Sequence, residues 1–193
     1  MQSRMKSFLL MVFVALLLAV NGFDAGPGDK ALNQAAKQEK YLKRTGMKYL
    51  DEIGKKAGII KLKSGMLIEV LKESDAGDKA KSPTESDSCD VTYLGTFKDG
   101  SRFDGSRTSF APNQVIKGWT EAMQLMVEGD KWKLYIPYDL AYGARGSPPR
   151  IPAFTPLVFE IEIHKVNGAG KSKALARKKL EESKDTTAKP TDL

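Results

Sequence analysis

The stretch NQVIKGWTEAM, from Asn113 to Met123, decides the fold of this chain. It begins as a loop and continues as a short helix. Apolar residues recur along that helix at i, i+3, i+4 and i+7 and form one face, which consists of Trp119, Ala122, Met123 and Met126. A helix this short is marginal alone and needs a surface to pack against. Alternating strands dominate the middle of the chain. We therefore expect the helix to lie in the hollow of a twisted antiparallel sheet, with Val115, Ile116 and Trp119 facing an opening.

The composition limits the classes of protein that this chain can represent. Its 193 residues allow one compact domain with extensions. The net charge of +7 is carried mainly by lysines in 30–63 and 165–184, and no arginine-rich run is interleaved with aromatics, so we do not predict nucleic-acid binding. One cysteine, Cys89, and one histidine, His164, exclude an intrachain disulfide and metal sites built from several such residues. We predict no metal and no other cofactor.

Residues 1–22 have the features of a secretory signal peptide. Arg4 and Lys6 precede an apolar run from Phe8 to Val20, which is too short to span a bilayer comfortably. Small residues follow, with Gly22 a suitable last residue before cleavage. We expect a secreted or secretory-pathway protein that has no membrane span once residues 1–22 are removed. An uncleaved membrane anchor is the alternative.

Two basic helices are predicted, one on each side of the central domain. From Asp29 to about Lys56 a narrow apolar stripe is interrupted by Gly46 and surrounded by lysines. A solvated extension that docks one face on the domain is favoured there over dimerisation or membrane-surface binding. From Lys171 to Lys184 the large apolar residues are Leu175 and Leu180, which favours a solvated helix.

Polar and glycine-containing joints set the predicted domain boundaries. Ser64-Gly65 and Gly168-Ala169-Gly170 separate a linker and helix in 23–64, a central domain in 65–167, and a helix and tail in 168–193. We expect the central domain to fold independently.

Alternation of apolar and polar residues predicts the strands of the central domain. The predicted segments are Met66–Val70, Cys89–Leu94, Arg102–Arg107, Trp132–Ile136 and Leu157–His164. Lys98-Asp99-Gly100-Ser101 is a turn between paired strands. Cys89 then faces the core as an inert thiol, and His164 points outward. The fold class is α+β, a twisted antiparallel sheet wrapping one short helix, with helical extensions at both ends.

Aromatic and aliphatic residues from separate segments are expected to converge at the opening beside the helix. They are Tyr93, Phe103, Val115, Ile116, Trp119, Tyr142, Ile151 and Phe159. No pair among them has the chemistry of a nucleophile with its base, and neither a phosphate-cradling loop nor a close carboxylate pair is present. The pattern therefore predicts a binding pocket lined by aromatics with few polar groups.

Four motifs occur in order through this region. They are VTYLGTFKDGSRFDGSR (Val91 to Arg107), QVIKGWTEAM (Gln114 to Met123), YIPYDLAYGARGSPP (Tyr135 to Pro149) and PLVFEIEIHKV (Pro156 to Val166). Over residues 65–167 the sequence resembles the FKBP-type peptidyl-prolyl cis-trans isomerases. The run from Tyr49 to Glu73 is similar to the entry into the domain in the secreted branch of macrophage infectivity potentiators of microbes, the Mip-like branch.

The resemblance implies a role for each residue at the opening. Trp119 is the floor beneath the substrate's proline ring, and the walls are Tyr93, Phe103, Val115, Ile116 and Phe159. The Ile116 N–H and the Tyr142 hydroxyl hydrogen-bond the bound chain. Asp104 is a buried acid near the isomerising bond, paired with Arg107 or unpaired. Ile151 lies on a loop that overhangs the site.

The sequence departs from the best-known members of the family at three places. Thr108 and Ser109 stand where an aromatic wall residue is expected, just before Phe110. No second arginine follows shortly after Arg107. On the overhanging loop, Ser147 and Arg150 replace an imidazole and an aliphatic residue.

The function that the resemblance implies is prolyl isomerisation of proline-containing peptides and proteins outside the cytosol, with macrolides as inhibitors. The runner-up is a non-catalytic FKBP-like binding module or secreted chaperone that keeps the pocket. A second alternative is a basic surface protein that acts on polyanions through its helices.

Overall fold

The computed structural model describes residues 27–186. The predicted signal peptide and the last seven residues of the tail lie outside this range. The chain divides into two compact units, 1–41 and 42–193. In the part of the first unit that is described, the backbone is helical. The following paragraphs concern the second unit.

The described residues form three α-helices and eight strands. The helices are α1 (Pro27–Gly54), α2 (Lys117–Met123) and α3 (Lys173–Ser183). The strands are β1 (Ile59–Lys61), β2 (Leu67–Lys72), β3 (Lys81–Ser82), β4 (Ser88–Thr96), β5 (Arg102–Phe110), β6 (Lys131–Ile136), β7 (Leu157–Asn167) and β8 (Lys171–Ser172). Short 3₁₀ turns lie at Gly77–Lys79, Pro112–Gln114 and Tyr138–Leu140. None of the helices within 27–186 is both long and apolar enough to cross a bilayer.

Six of the described strands form one antiparallel sheet in the order β1-β2-β6-β7-β4-β5. Successive residues of a strand point to opposite faces, so the cross-strand register assigns each side chain to a face. Ile68, Leu134 and Phe159 are aligned across β2, β6 and β7 on the inner face. Their sequence neighbours Leu67 and Tyr135 lie on the outer face.

The helix α2 packs against the inner face of the sheet, as the sequence predicts. Its residues Gly118, Trp119, Ala122 and Met123 are buried, and Met126 just beyond it is fully buried. Trp119, Ala122, Met123 and Met126 join Ile68, Trp132, Leu134 and Ile161 in one hydrophobic core. The predicted α+β architecture, a sheet wrapped around one short helix, is confirmed.

The last part of α1 covers the outer face of the sheet. Ile53 is buried in a second apolar cluster with Leu67, Tyr135 and Val158, and Tyr49 packs against this cluster. Gly46 is buried because α1 passes close to Pro156. A Cβ at position 46 would lie 3.2 Å from the Pro156 Cδ atom. The glycine that interrupts the helical pattern in the sequence therefore permits a close approach between helix and loop.

The interpretation of residues 171–184 as a solvated helix is wrong. Ser172 accepts a hydrogen bond from the Leu175 N–H and begins α3, which then buries Ala176 and Leu180. Leu180 belongs to the main hydrophobic core. A boundary at residue 167 leaves this helix out, so we propose that the folding domain continues through α3.

A buried carboxylate connects α3 to the sheet. Asp130, which has no solvent-exposed area, accepts hydrogen bonds from the N–H groups of Ser74 and Val127. The Arg177 guanidinium donates to both of its oxygens, at 2.9 and 3.0 Å. The same guanidinium lies 5.7 Å from the Trp132 ring. Because a buried charge is costly without partners, this arrangement should hold α3 in place.

The strand predicted to end at Arg107 continues to Phe110. In the antiparallel hairpin Tyr93 pairs with Ser106, Val91 with Thr108 and Cys89 with Phe110. Since β4 begins at Ser88, β5 has a hydrogen-bonding partner for its whole length. The prediction ended the strand too early because residues 104–109 contain no large apolar side chain.

Arg177→Ala should lower the free energy of unfolding by about 3 kcal/mol, because it removes one partner of a buried ion pair. Urea denaturation monitored by circular dichroism measures this. The matched control is Lys178→Ala, since Lys178 pairs with Glu182 at 3.9 Å with both side chains largely exposed. The control should change stability by less than about 1 kcal/mol. Equal losses for both variants would contradict the structural role of Asp130.

Cys89 should be inert in the folded protein, as the sequence predicts. The side chain is fully buried, and burial together with the nearby Asp87 raises the pKa of its thiol to about 12. Its thiolate fraction at pH 8 is therefore about a thousandfold below that of an ordinary cysteine. Iodoacetamide labelling followed by mass spectrometry should show no modification of native protein over minutes and rapid modification in denaturant. Rapid labelling of the native state would contradict the buried placement.

Candidate active site

A cleft of about 370 Å³ opens beside the N-terminus of α2. Its lining comes from β4, β5, β7, the start of α2 and the loop after β6. The lining residues are Tyr93, Asp104, Phe110, Gln114, Val115, Ile116, Trp119, Tyr142 and Phe159. The cleft therefore has aromatic walls and a single carboxylate among its lining residues.

Trp119 forms the floor of this cleft and is 4% exposed. Its ring lies edge-on to Tyr93 and Phe159, at 5.1 Å between centroids in each case, and to Phe110 at 6.1 Å. Edge-to-face pairs of this kind contribute about 0.5–1.5 kcal/mol each beyond their buried area. The floor is thus held rigidly by rings from three other segments.

The β4–β5 hairpin has a register shift next to the cleft, at Phe103 and Asp104. Thr96 pairs with Arg102 while Gly95 pairs with Asp104, so Phe103 is an extra residue on β5. Such a bulge changes the direction of side chains locally. The Phe103 ring packs edge-on against Phe159 at 5.4 Å. Gly95 permits this contact, since a Cβ there would lie 2.8 Å from both rings.

Asp104 is exposed to solvent in this structure, which corrects the expectation of a buried acid. Its carboxylate accepts a hydrogen bond from the Tyr93 hydroxyl at 3.1 Å and another from the Gly105 N–H at 2.8 Å. Burial raises the pKa of Tyr93, and the Asp104 carboxylate raises it further. Tyr93 therefore stays protonated and can donate to the acid at neutral pH.

Arg107 does not line the cleft and is not the partner of Asp104. It pairs across the hairpin with Thr92, on the face opposite to Tyr93, because adjacent strand residues alternate. No ion pair within residues 27–186 joins it to Asp104. The guanidinium of Arg102 instead donates to the backbone carbonyls of Asp104 and Gly105.

The polar groups at the cleft that have no hydrogen-bond partner within the described part of the chain include the buried Nε1 of Trp119. Two more are the N–H of Ile116, the residue that precedes α2 and has an extended backbone, and the hydroxyl of Tyr142, which is 40% exposed. Both can donate a hydrogen bond to a carbonyl group that enters the cleft.

The loop of residues 141–156, here named the overhanging loop, borders the cleft. Ser147 and Ile151 exchange two backbone hydrogen bonds across it, at 2.8 and 2.9 Å. Ile151 is 4% exposed and packs into the main core, so it lies on the loop as predicted but does not line the cleft. The exposed Arg150 donates to the Phe103 carbonyl at 3.3 Å.

Most of the site residues predicted from the sequence lie together at the cleft. Phe103, Ile151 and Arg107 do not line it, although Phe103 supports Phe159 from behind. Phe110 and Gln114 line the cleft and were not predicted. The length of β4 could have revealed Phe110, because an antiparallel hairpin with its turn at 98–101 pairs Cys89 with residue 110.

Comparison with known proteins gives a consistent family assignment. The family model described as FKBP-type peptidyl-prolyl cis-trans isomerase matches residues 79–164. The macrophage infectivity potentiator of Trypanosoma cruzi is 37% identical over 173 residues, which are 87% of this chain and 86% of that protein. The FK506-binding protein 1A of Emericella nidulans is 42% identical over 109 residues, covering 53% of this chain and all of that protein.

Solved structures agree with the sequence relatives. A peptidyl-prolyl cis-trans isomerase from Pseudomonas syringae is 34% identical and superposes with a TM-score of 0.63, covering 76% of this chain and all of that one. The chain therefore belongs to the FKBP-type peptidyl-prolyl cis-trans isomerases, in the branch of the macrophage infectivity potentiators.

Proposed function

We propose that the cleft above Trp119 is where this chain, as a peptidyl-prolyl cis-trans isomerase, accelerates rotation about X–Pro bonds. The observation that carries the proposal is the composition of the cleft. Aromatic rings surround a space of about 370 Å³, together with one carboxylate and two hydrogen-bond donors that have no partner in the described chain. A proline ring fits such a floor, and a backbone carbonyl can accept from the donors.

The aromatic walls suit the chemistry of amide rotation. The planar X–Pro amide is polar because of its resonance, and its rotational barrier is about 18–20 kcal/mol. Twisting destroys that resonance and lowers the polarity of the carbonyl. An apolar cleft therefore disfavours the planar amide relative to the twisted one. No bond breaks, so the reaction requires neither a nucleophile nor a metal.

The lowering of the rotational barrier that catalysis requires is modest. A rate enhancement of 10⁴–10⁵ corresponds to about 5–7 kcal/mol. In our proposal the shape of the cleft around Trp119 supplies part of it. The Ile116 N–H and the Tyr142 hydroxyl bind the peptide carbonyls, and the Asp104 carboxylate acts on the twisting amide through its field.

Proline-containing peptides and proteins are the proposed substrates, and macrolides are the proposed inhibitors. The relative from Emericella nidulans is named for binding FK506. The residues that line the cleft here, Tyr93, Val115, Ile116, Trp119, Tyr142 and Phe159, are those that the family resemblance assigns to ligand contact. Arg150 and Ser147 on the overhanging loop would change ligand preference rather than activity.

The polyanion alternative has less support than isomerisation. Three basic side chains of α3 are engaged with the domain: Lys173 donates to the Ser74 carbonyl, Arg177 to Asp130, and Lys179 to Gln124. These contacts hold the three cationic side chains against the domain, and the Asp130 carboxylate neutralises the charge of Arg177. The chain's lysines therefore do not require a nucleic-acid or polysaccharide partner.

The full chain without residues 1–22 should catalyse cis-trans exchange of a short X–Pro peptide, and Asp104→Leu should lower kcat/KM about tenfold or more, roughly 1.4 kcal/mol. Exchange spectroscopy by NMR measures both rates without a coupling protease. Asp104→Asn keeps the shape and the hydrogen bond to Tyr93, so its activity separates the charge from the contact. Macrolide affinity should fall in the leucine variant.

The matched control is Asp78→Leu, which removes an exposed carboxylate from the turn at 77–79. It should keep wild-type kcat/KM. An inactive wild-type protein that still binds the peptide would favour the binding-module alternative. Unchanged kcat/KM in a folded Asp104→Leu protein would assign the acid a structural role and leave catalysis to the shape of the cleft.

We also propose that the protein is exported. The positive start and the short apolar run within residues 1–22 support this. N-terminal sequencing of the protein from its native source should find a mature chain that begins near Phe23. An intact Met1 on the soluble protein would contradict export by this route.

A further inference from the structure

Phe154 adopts a backbone conformation that aromatic residues rarely occupy. Its φ is 56°, in the left-handed region, and no other non-glycine residue of 27–186 has a positive φ. In that region Cβ approaches the following carbonyl, so a bulky side chain is strained there. Strain of this kind persists only where the surrounding contacts over-determine the conformation.

Contacts from two elements hold the Phe154 ring. The Lys43 ammonium of α1 lies 4.8 Å from the ring centroid, which is the geometry of a cation–π interaction. The Tyr138 ring packs edge-on at 5.4 Å and 78°. One turn along α1 from Lys43, Gly46 brings the helix against Pro156, the next proline of the same loop. The helix therefore touches the overhanging loop at two points.

Backbone hydrogen bonds connect Phe154, which Lys43 and Tyr138 contact, to the cleft. Its N–H donates to the Gly143 carbonyl at 3.0 Å, and the Gly143 N–H donates to the Tyr138 carbonyl at 2.7 Å. Gly143 directly follows Tyr142, which lines the cleft. The Tyr142 side chain makes no hydrogen bond within the described chain, so its position depends on its backbone. Phe154 itself does not line the cleft.

We propose that Phe154, held by Lys43 and Tyr138, is a positioning residue that fixes the Tyr142 hydroxyl over the cleft. Through Lys43, α1 then sets how tightly the cleft binds its substrate. Only the expected change in KM rests on the proposed isomerase function. The positioning itself can be measured without catalysis.

Lys43→Met removes the cation while keeping the length of the side chain, and Phe154→Asn removes the ring while tolerating the left-handed backbone. Each should raise KM for an X–Pro peptide about fivefold with kcat changed less than about twofold, because a hydroxyl that binds substrate and transition state alike affects KM. Lys43→Arg and Phe154→Tyr should restore wild-type KM. The matched control is Lys48→Met, an exposed residue of the same helix, which should have no effect.

A double-mutant cycle with Tyr142→Phe shows whether the effect passes through that hydroxyl. In the Tyr142→Phe background, Phe154→Asn should change kcat/KM by less than about twofold, since coupled residues are not additive. A purely structural role would give the same loss in both backgrounds. That result would overturn the proposal.

Amide hydrogen exchange supplies the readout that does not need activity. Lys43→Met should accelerate exchange in peptides from 141–156 about threefold or more, while peptides from α2 exchange at the wild-type rate. Lys43→Met with unchanged loop exchange and unchanged KM would also overturn the inference. If the wild-type protein were inactive, the proposed function would fail, and loop exchange would still decide whether Lys43 and Phe154 fix the loop.

Discussion

Trp119 packs edge-on against Tyr93, Phe110 and Phe159, and this contact ties the fold to the site. One side of the indole belongs to the core that α2 forms with the sheet. The other side is the floor of the cleft. A helix of seven residues could not hold a flat apolar surface toward an opening by itself. The aromatic rings of β4, β5 and β7 hold it there, so the floor of the cleft is in place without a bound substrate.

The helices α1 and α3 contribute to the packing of the sheet and the core. The end of α1 covers the outer face of the sheet through Ile53 and Tyr49, and it reaches the overhanging loop through Lys43 and Gly46. The helix α3 fills the core with Leu180 and pairs with the buried Asp130. The sheet, the floor and the loop above the floor are thus each supported by an element outside the predicted 65–167 domain. An isolated central domain would leave Asp130 without its guanidinium.

The short helix and its sheet could be predicted because their periodicities are strong. The helical recurrence of Trp119, Ala122 and Met123 and the alternation in β6 and β7 each have one reasonable interpretation. The environment of Leu180 could not be predicted in the same way. One leucine among lysines is also typical of a solvated helix, and the ion pair of this helix joins Arg177 to Asp130, which is distant in sequence. Non-local ion pairs leave no periodic signal.

The residues of the cleft could be predicted mainly through family resemblance. Where the prediction of these residues is wrong, the error has a physical cause. The family resemblance places Arg107 at the site, but the pleat turns it to the other face of the hairpin. The prediction lacks Phe110 because it ends this strand at Arg107, whereas β5 continues to Phe110. Asp104 was expected to be buried, and the open cleft exposes it to solvent. These differences concern side-chain direction, which changes with each residue along a strand.

In our proposal the cleft accelerates rotation by its shape, its aromatic surroundings and its hydrogen bonds, without moving a proton. The solvent deuterium isotope effect on kcat/KM for an X–Pro peptide tests this claim most directly. Rotation about the amide bond with no proton in flight predicts a ratio of about 1 between H₂O and D₂O. A ratio of about 2 or more would indicate general acid–base catalysis and contradict the account.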